Sequence, residues 1–451
     1  MTEKRAQFAT RLGVIATTVG SAVGLGNIWR FPYEAGVHGG GAFLLIDLFF
    51  VFVVGIPVVC AEFIIGRHTG LNVRGAFKAL APKRAWGVVG YMGLLSSILI
   101  LSFYSVVAGW TMKYIALSLS DFDGINTVEG LHGQFDRFAS SDWSPLVCTL
   151  LFLLANYLIL ARGVQKGIER MSNIMMPLLF VILAVFCVNS LMMPGAADGL
   201  KFLFSPDFSQ VTPSVMIEAM GQAFFSLSLG LGCLITYSSY FRKETPLLRT
   251  AGTMAALDTL VAILAGVIIF PAVFTFGLQP EAGPRLVFEI LPSVFCRMPG
   301  TMLWSTLFFV LLFVASLSST ISMSEICISY LTDELGMSRR KATVINIAVA
   351  MVLGSLCALS FGSLSGWKIF GMTLFNLFDY VSSNILLPLG GLLISLFVGW
   401  VLDRAVVRRE LSPDGTRRGL LGARIVVFCL RYIAPVCIAT VFVFGLGIVS
   451  L

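Results

Sequence analysis

A chain of 451 residues that is 57% hydrophobic and only 12% charged lacks the surface of a soluble protein. Soluble domains keep about 25% of their residues charged because their surface meets water, and with a mean hydropathy of +0.90 most of this surface must meet lipid. The net charge of +7 collects in particular loops rather than in a stripe interleaved with aromatics, which excludes a nucleic-acid binder.

Roughly 20 apolar residues, rising 1.5 Å each, cross a hydrocarbon core of about 30 Å. Eleven runs meet that length, near 11–35, 41–66, 88–119, 145–161, 168–192, 215–240, 251–277, 301–331, 342–360, 369–402 and 423–450. They are continuous rather than alternating, so they read as helices and not as barrel strands. The predicted class is an all-α integral membrane protein with eleven transmembrane helices.

The loops set an orientation. Segment 67–84 carries Arg67, Arg74, Lys78, Lys83 and Arg84 with no acid; 162–170 carries Arg162, Lys166 and Arg170; 403–424 carries six arginines. Segment 120–143 carries Asp121, Asp123, Glu129, Asp136 and Asp142 against Arg137 alone. Basic loops stay in the cytoplasm, which predicts a multi-pass protein of the inner (cytoplasmic) membrane with its N-terminus inside and its C-terminus outside. The charged start, Met1 to Arg11, runs into a full span and is not read as a cleaved signal. The nine cysteines and three histidines show no metal-ligand spacing.

Two spans make poor helices. The first contains Gly20, Gly24, Gly26, Asn27, Arg30 and Pro32; the sixth contains Ser226, Ser228, Gly230 and Gly232. Gly costs about 1 kcal/mol relative to Ala in a helix, and a mid-membrane Arg roughly 2.5–3.5 kcal/mol. Small residues also serve tight helix crossings. Two such segments, each opening a set of five spans, point instead to the discontinuous helices of an inverted-repeat transporter. Their free carbonyls suit cations, and their half-helix N-termini suit a carboxylate.

In order along the chain, Gly24-Leu25-Gly26-Asn27, Trp29-Arg30-Phe31-Pro32, Gly39 to Phe43, Gly55-Ile56-Pro57 with Glu62, Gly66-Arg67, Lys166 to Arg170, Gly221-Gln222 to Gly232 and Tyr237 to Tyr240 resemble the neurotransmitter:sodium symporter family and its eleven-helix bacterial leucine transporters. The resemblance implies a LeuT-like fold: an inverted five-helix repeat with helices 1 and 6 broken. Its parts would be a tail 1–10, repeats 11–192 and 215–402 with an extracellular segment 279–300, a basic loop 403–422 and a last helix 423–451.

It also implies a site. The substrate carboxylate would meet the Leu25 and Gly26 amides and the Tyr104 hydroxyl. The ammonium would meet carbonyls of Ala22, Phe225 and Ser226, with Ser21 and Ser228 nearby. Ile100, Phe225, Leu231, Ser319 and Met323 would hold the side chain. Family members for decarboxylated amines carry an Asp where this chain has Gly24, so Gly24 favours a substrate with its own carboxylate. One sodium would use Ala22, Asn27, Ser226 and Asp258. A second would use the Gly20, Val23 and Ala315 carbonyls with Ser318 and Ser319, hard oxygens suited to a hard cation. Outer closure would come from Arg30 with Asp379 and from Phe225 beside Tyr104. Inner closure would come from Arg5 with Asp333, helped by Phe8, Ser239 and Tyr240. Gly167 and Pro177 would let the fifth span unwind at its cytoplasmic end.

Asp258 stands where the family pattern has Asn, and Asp47 where it often has Tyr. Both are read as acids standing in for chloride, since an intramembrane carboxylate needs a function. Glu62 is expected to support the break in the first helix. The expected function is sodium-coupled import of a small hydrophobic L-amino acid through a lipid bilayer, with no organic cofactor, no obligate protein partner and no enzymatic chemistry. An amino-acid sensor on the same fold is the alternative.

Overall fold

In the computed structural model, residues 6–125, 127–277, 286–412 and 415–447 are described. Among them the chain is helical, and its only β-pairing is two isolated bridges. Among the described residues, nine helices are long and apolar enough to cross a membrane: Gly41–Thr69, Gly87–Leu119, Trp143–Leu160, Val164–Leu191, Leu247–Phe276, Thr301–Asp333, Arg339–Leu359, Leu374–Val401 and Gly419–Gly445. Arg11–Ala22 and Gly26–Val37 add a tenth span, bent by 56°.

The sixth expected span is divided into Pro213–Ser226 and Cys233–Ser238. The tenth starts later than the sequence suggests. Phe370 and Gly371 both take positive φ and close a tight turn through the Ile369–Met372 bridge, so the helix begins at Leu374. The fifth is wound through Gly167, where a Cβ would lie 2.2 Å from the Ile159 carbonyl oxygen. The unwinding expected there is absent from this conformation.

Each break has a local cause. Ala22 ends its helix at Val23, whose ψ of 118° is extended, and the chain resumes in a wide turn over Gly26–Arg30. In the sixth span, Ser228 (φ 52°), Gly230 (φ 83°) and Gly232 (φ 80°) adopt left-handed backbone, where a side chain is disfavoured and glycine is not. Gly230 has a second reason to be glycine. A Cβ there would lie 2.2 Å from the Leu387 carbonyl oxygen and 2.6 Å from the Gly391 nitrogen, so helix Leu374–Val401 seats directly on the break.

Backbone freed from a helix inside a membrane needs partners, because lipid supplies none. Glu62 supplies one: Oε1 accepts the Gly230 N–H at 2.9 Å. This corrects the expectation for Glu62, which supports the break in the sixth helix rather than the first. Its helix, Gly41–Thr69, packs along Cys233–Ser238, and Gly66 makes the approach possible, since a Cβ there would lie 2.0 Å from the Ile235 carbonyl oxygen.

The two 33-residue helices, Gly87–Leu119 and Thr301–Asp333, run along each other beside the breaks, joined where Ser97 Oγ donates to the Met323 carbonyl at 2.6 Å. They form the wall that the broken helices face. Short helices cover the ends. Among them, Ala196–Phe204 lies on Leu247–Phe276 through Gly199, whose Cβ would meet the Pro271 nitrogen at 2.5 Å.

Gly230→Ala is expected to destabilise the protein by more than about 1 kcal/mol, combining left-handed strain with a backbone collision. Gly277, also left-handed (φ 63°) but with nothing within 4 Å of a Cβ, is the control. Thermal unfolding in detergent should show a clearly larger drop in Tm for Gly230→Ala than for Gly277→Ala; equal drops would mean that the contact with helix Leu374–Val401 carries no energy.

Candidate functional site

The two breaks face each other across a cavity of about 410 Å³. Its inner part is bounded by Ala22, Leu25, Gly26, Ile100, Tyr104, Phe225, Ser226, Ser228, Leu231, Ser319 and Met323, the residues expected at the substrate. Ser21 is the exception. Its hydroxyl turns back to the Thr18 carbonyl at 2.7 Å, while its own carbonyl accepts from Ser228 Oγ at 3.1 Å. It joins the two breaks without lining the cavity.

Gly24 lies where three residues converge. Its N–H donates to Asn27 Oδ1 at 3.0 Å, and a Cβ on it would lie 2.8 Å from Ser319 Oγ and 2.9 Å from Tyr104 Oη. Tyr104 Oη in turn accepts the Leu25 N–H at 3.0 Å. The amide and the hydroxyl expected to bind a carboxylate are thus neighbours at one end of the cavity.

Asn27, Ser226 and Asp258 form a buried cluster behind that point, 0%, 7% and 1% exposed. Asn27 Nδ2 donates to Ser226 Oγ and to Asp258 Oδ1, both at 2.8 Å, and Ser226 Oγ donates to Asp258 Oδ2 at 2.5 Å. This set ties the first helix to the sixth and seventh, and it gathers the oxygens expected at the first sodium. Asp47 is buried at 5%, and its Oδ1 has no hydrogen-bond partner.

Residues of the second expected ion set lie along one helix seam. Ser319 Oγ donates to the Val23 carbonyl at 3.0 Å, Ser318 Oγ to the Ala315 carbonyl at 2.9 Å, and the Gly20 Cβ position is 3.4 Å from Ser318 Cβ. The Ser319 hydroxyl thus links the first helix to Thr301–Asp333 at Val23, and Gly20 faces Ser318 across the same seam.

Towards its rim the cavity is bounded by Arg30, Glu34 and Asp379. Arg30 and Asp379 are not paired here. Arg30 lies 3.6 Å from Glu34, one turn along its own helix, and 4.7 Å above the Phe225 ring. Asp379 is exposed and accepts from Ser383 at 2.9 Å. Each satisfies its charge locally, which leaves the rim open. Phe225 lies under Arg30 and Tyr104 is bonded to Leu25, so the expected Phe225–Tyr104 closure is not made either.

The opposite end is closed. Arg5 lies outside the described residues. Asp333 accepts from the Asn72 backbone and side chain, each at 3.2 Å. Phe8 is 1% exposed and meets Tyr237 and Tyr240 edge-on at 6.0 and 5.9 Å. Glu169 accepts the N–H groups of Ala9 and Thr10. Ser239 donates to the Thr236 carbonyl and takes no part in the plug.

Sequence reasoning missed much of this end and of the rim. Glu325, fully buried, accepts Tyr240 Oη at 2.7 Å and both terminal nitrogens of Arg339 at 2.8 and 2.7 Å. Phe375, Ser383, Asn384 and Leu387 line the rim with Asp379. Their spacing marks one face of a helix, a signal present in the sequence once Asp379 is singled out. Phe103 and Val107 extend the Ile100–Tyr104 face in the same way.

The profile of the sodium:neurotransmitter symporter family matches residues 5–123 and 125–450. The chain belongs to that family. A sodium-dependent transporter of Bacillus subtilis, YhdH, is 40% identical across 99% of both chains, and another of Haemophilus influenzae is 38% identical across 98% of this chain and 99% of its own. The crystal structure of MhsT in complex with L-phenylalanine superposes with a TM-score of 0.89 at 43% identity, over 98% of this chain and 100% of MhsT. This symporter-family chain is therefore a sodium-dependent transporter of LeuT-like fold, a multi-pass membrane protein and not an enzyme.

In this family member, Gly24→Ala places a methyl group against Ser319 and Tyr104 at once. Overpacking of this kind costs about 1–3 kcal/mol, so substrate Kd is expected to rise by about tenfold or more. Equilibrium binding of labelled substrate checks this, and an unchanged Kd would place the substrate elsewhere.

Proposed function

We propose that the protein imports a hydrophobic L-amino acid with sodium by alternating access and without a requirement for chloride. The observation that carries this reading is the cavity between the two breaks. There, amide, hydroxyl and ion-binding oxygens meet an apolar lining of Ile100, Phe225, Leu231 and Met323. The substrate carboxylate binds at the Leu25 and Gly26 amides and Tyr104; its ammonium meets the carbonyls of Ala22, Phe225 and Ser226. Gly24 brings no acid of its own, so the substrate must supply the carboxylate.

Sodium is cargo as well as ligand. The first ion is held by Ala22, Asn27, Ser226 and Asp258 with the substrate carboxylate; the second by Gly20, Val23, Ala315, Ser318 and Ser319. Because the substrate completes the first ion shell, each strengthens the binding of the other by the same factor. Asp258, together with the buried Asp47, supplies the negative charge that would otherwise require an anion. Met323 and Leu231 adapt to side chains of different shape, and MhsT, similar over nearly its whole length, holds L-phenylalanine.

The basic loops put the plugged end in the cytoplasm, so the open rim faces outward in an inner-membrane protein. Arg30 and Asp379 close over a bound substrate, and the cytoplasmic end opens as the plug of Phe8 withdraws. One bundle of helices rocks against the rest to expose the site to each side in turn.

Uptake into proteoliposomes tests the whole. Labelled phenylalanine or leucine should accumulate under an inward sodium gradient and not under potassium, and replacing chloride with gluconate should change nothing. Asp258→Asn should make the residual uptake chloride-sensitive. Binding without accumulation would identify a sensor, and accumulation without sodium would overturn the ion sites.

A further inference from the structure

The rim of the cavity sets one guanidinium against two carboxylates. Arg30 and Glu34 belong to the outer half of the first span, Gly26–Val37, and Asp379 belongs to helix Leu374–Val401. Asp379 is the expected partner of Arg30. Arg30 instead faces Glu34, with 3.6 Å between Nε and Oε1.

Glu34 is anchored from behind. Residues 30, 34 and 38 succeed one another along one face of the helix. Glu34 Oε2 lies 3.3 Å from His38 Nε2, and the His38 ring stacks on Phe43 at 5.8 Å with planes 20° apart. Phe43 is itself fully buried. The Glu34 side chain is 12% exposed against 30% for Arg30, so the acid is the fixed partner and the guanidinium the freer one. The hold between them is weak. An acid placed C-terminal to its base is the less favourable order for such a pair, and 3.6 Å is longer than a hydrogen bond.

We propose that Glu34 is a positioning residue that competes with Asp379 for Arg30 and so sets how readily the rim closes. The inference rests on the reading of Arg30 with Asp379 as the outer closure. Beside Glu34, the guanidinium stays on its own helix and bridges nothing. Beside Asp379, it would tie Gly26–Val37 to Leu374–Val401 over the cavity. In either place its charge meets a carboxylate, so the exchange leaves no unpaired cation against an apolar lining. When Arg30 departs, Glu34 keeps its contact with His38. The balance is therefore a difference between two ion pairs, each of small worth alone, and removing one carboxylate tilts it.

The test is the dissociation rate of labelled phenylalanine from full-length protein in nanodiscs at saturating sodium. Four proteins are compared: unmodified, Glu34→Gln, Asp379→Asn and the double variant. Closure over the substrate slows its escape. Glu34→Gln keeps the shape of the side chain, releases Arg30 to Asp379 and should slow dissociation about three- to fivefold. Asp379→Asn removes the closing partner and should speed it. The double variant should match Asp379→Asn alone, because Glu34 acts only through the competition; a merely structural effect of Glu34→Gln would add to that of Asp379→Asn. Dissociation from Glu34→Gln at the unmodified rate or faster, or equal slowing in the Asp379→Asn background, would overturn the role of Glu34 and leave the closure standing. A rate that Asp379→Asn does not change would overturn the closure itself, and the competition with it.

Discussion

A membrane provides no partner for a loose amide, and that constraint organises the protein. Two helices are interrupted at mid-depth, leaving N–H and C=O groups that must be satisfied by the protein itself. The two interruptions lie against each other and share their solutions. Asn27 of the first bonds Ser226 of the sixth, Ser228 of the sixth bonds the Ser21 carbonyl of the first, Tyr104 takes the Leu25 amide and Glu62 takes that of Gly230. Groups that satisfy one another in this way can equally turn to an ion or a carboxylate. The binding chemistry therefore follows from the cost of breaking helices in lipid.

The same logic accounts for the conformation. At the rim, Arg30 and Asp379 hold partners on their own helices and leave the entrance open. At the other end, partners come from distant parts of the chain: Glu169 fixes the tail at Ala9 and Thr10, and Glu325 gathers Tyr240 and Arg339. Removing either partner from a buried pair is strongly destabilising, so the closed end is held by charge that has nowhere else to go.

Much of this was legible in the residues. Apolar run length placed the spans to within a few residues. Gly24, Gly26, Gly230 and Gly232 marked both breaks because no ordinary helix tolerates them at that density. The cavity lining followed from family motifs, except for Ser21, whose hydroxyl found a carbonyl within its own helix. Glu62 was assigned to the wrong break because nothing local says which strand of backbone a buried carboxylate will reach. The Arg30–Asp379 pair is open here: residue type shows that two charges can meet, while the conformation decides whether they do. The Glu325–Arg339 pair depends on where short connecting segments pack, and hydropathy carries no signal for that.

Helix Leu374–Val401 touches both ends of the outer half of the cavity. Asp379 and Ser383 stand at its rim, and about two turns deeper, ~12 Å along the axis, Leu387 and Gly391 seat against Gly230. A rigid rod in contact with the doorway and with the broken backbone behaves as a lever. Tilting it to narrow the entrance must also press or release the left-handed turn at Gly230 and the backbone that runs from it to Ser226. Aperture and the set of the broken backbone are then two readings of one angle, and a bulky solute wedged at the doorway would hold both at the open setting.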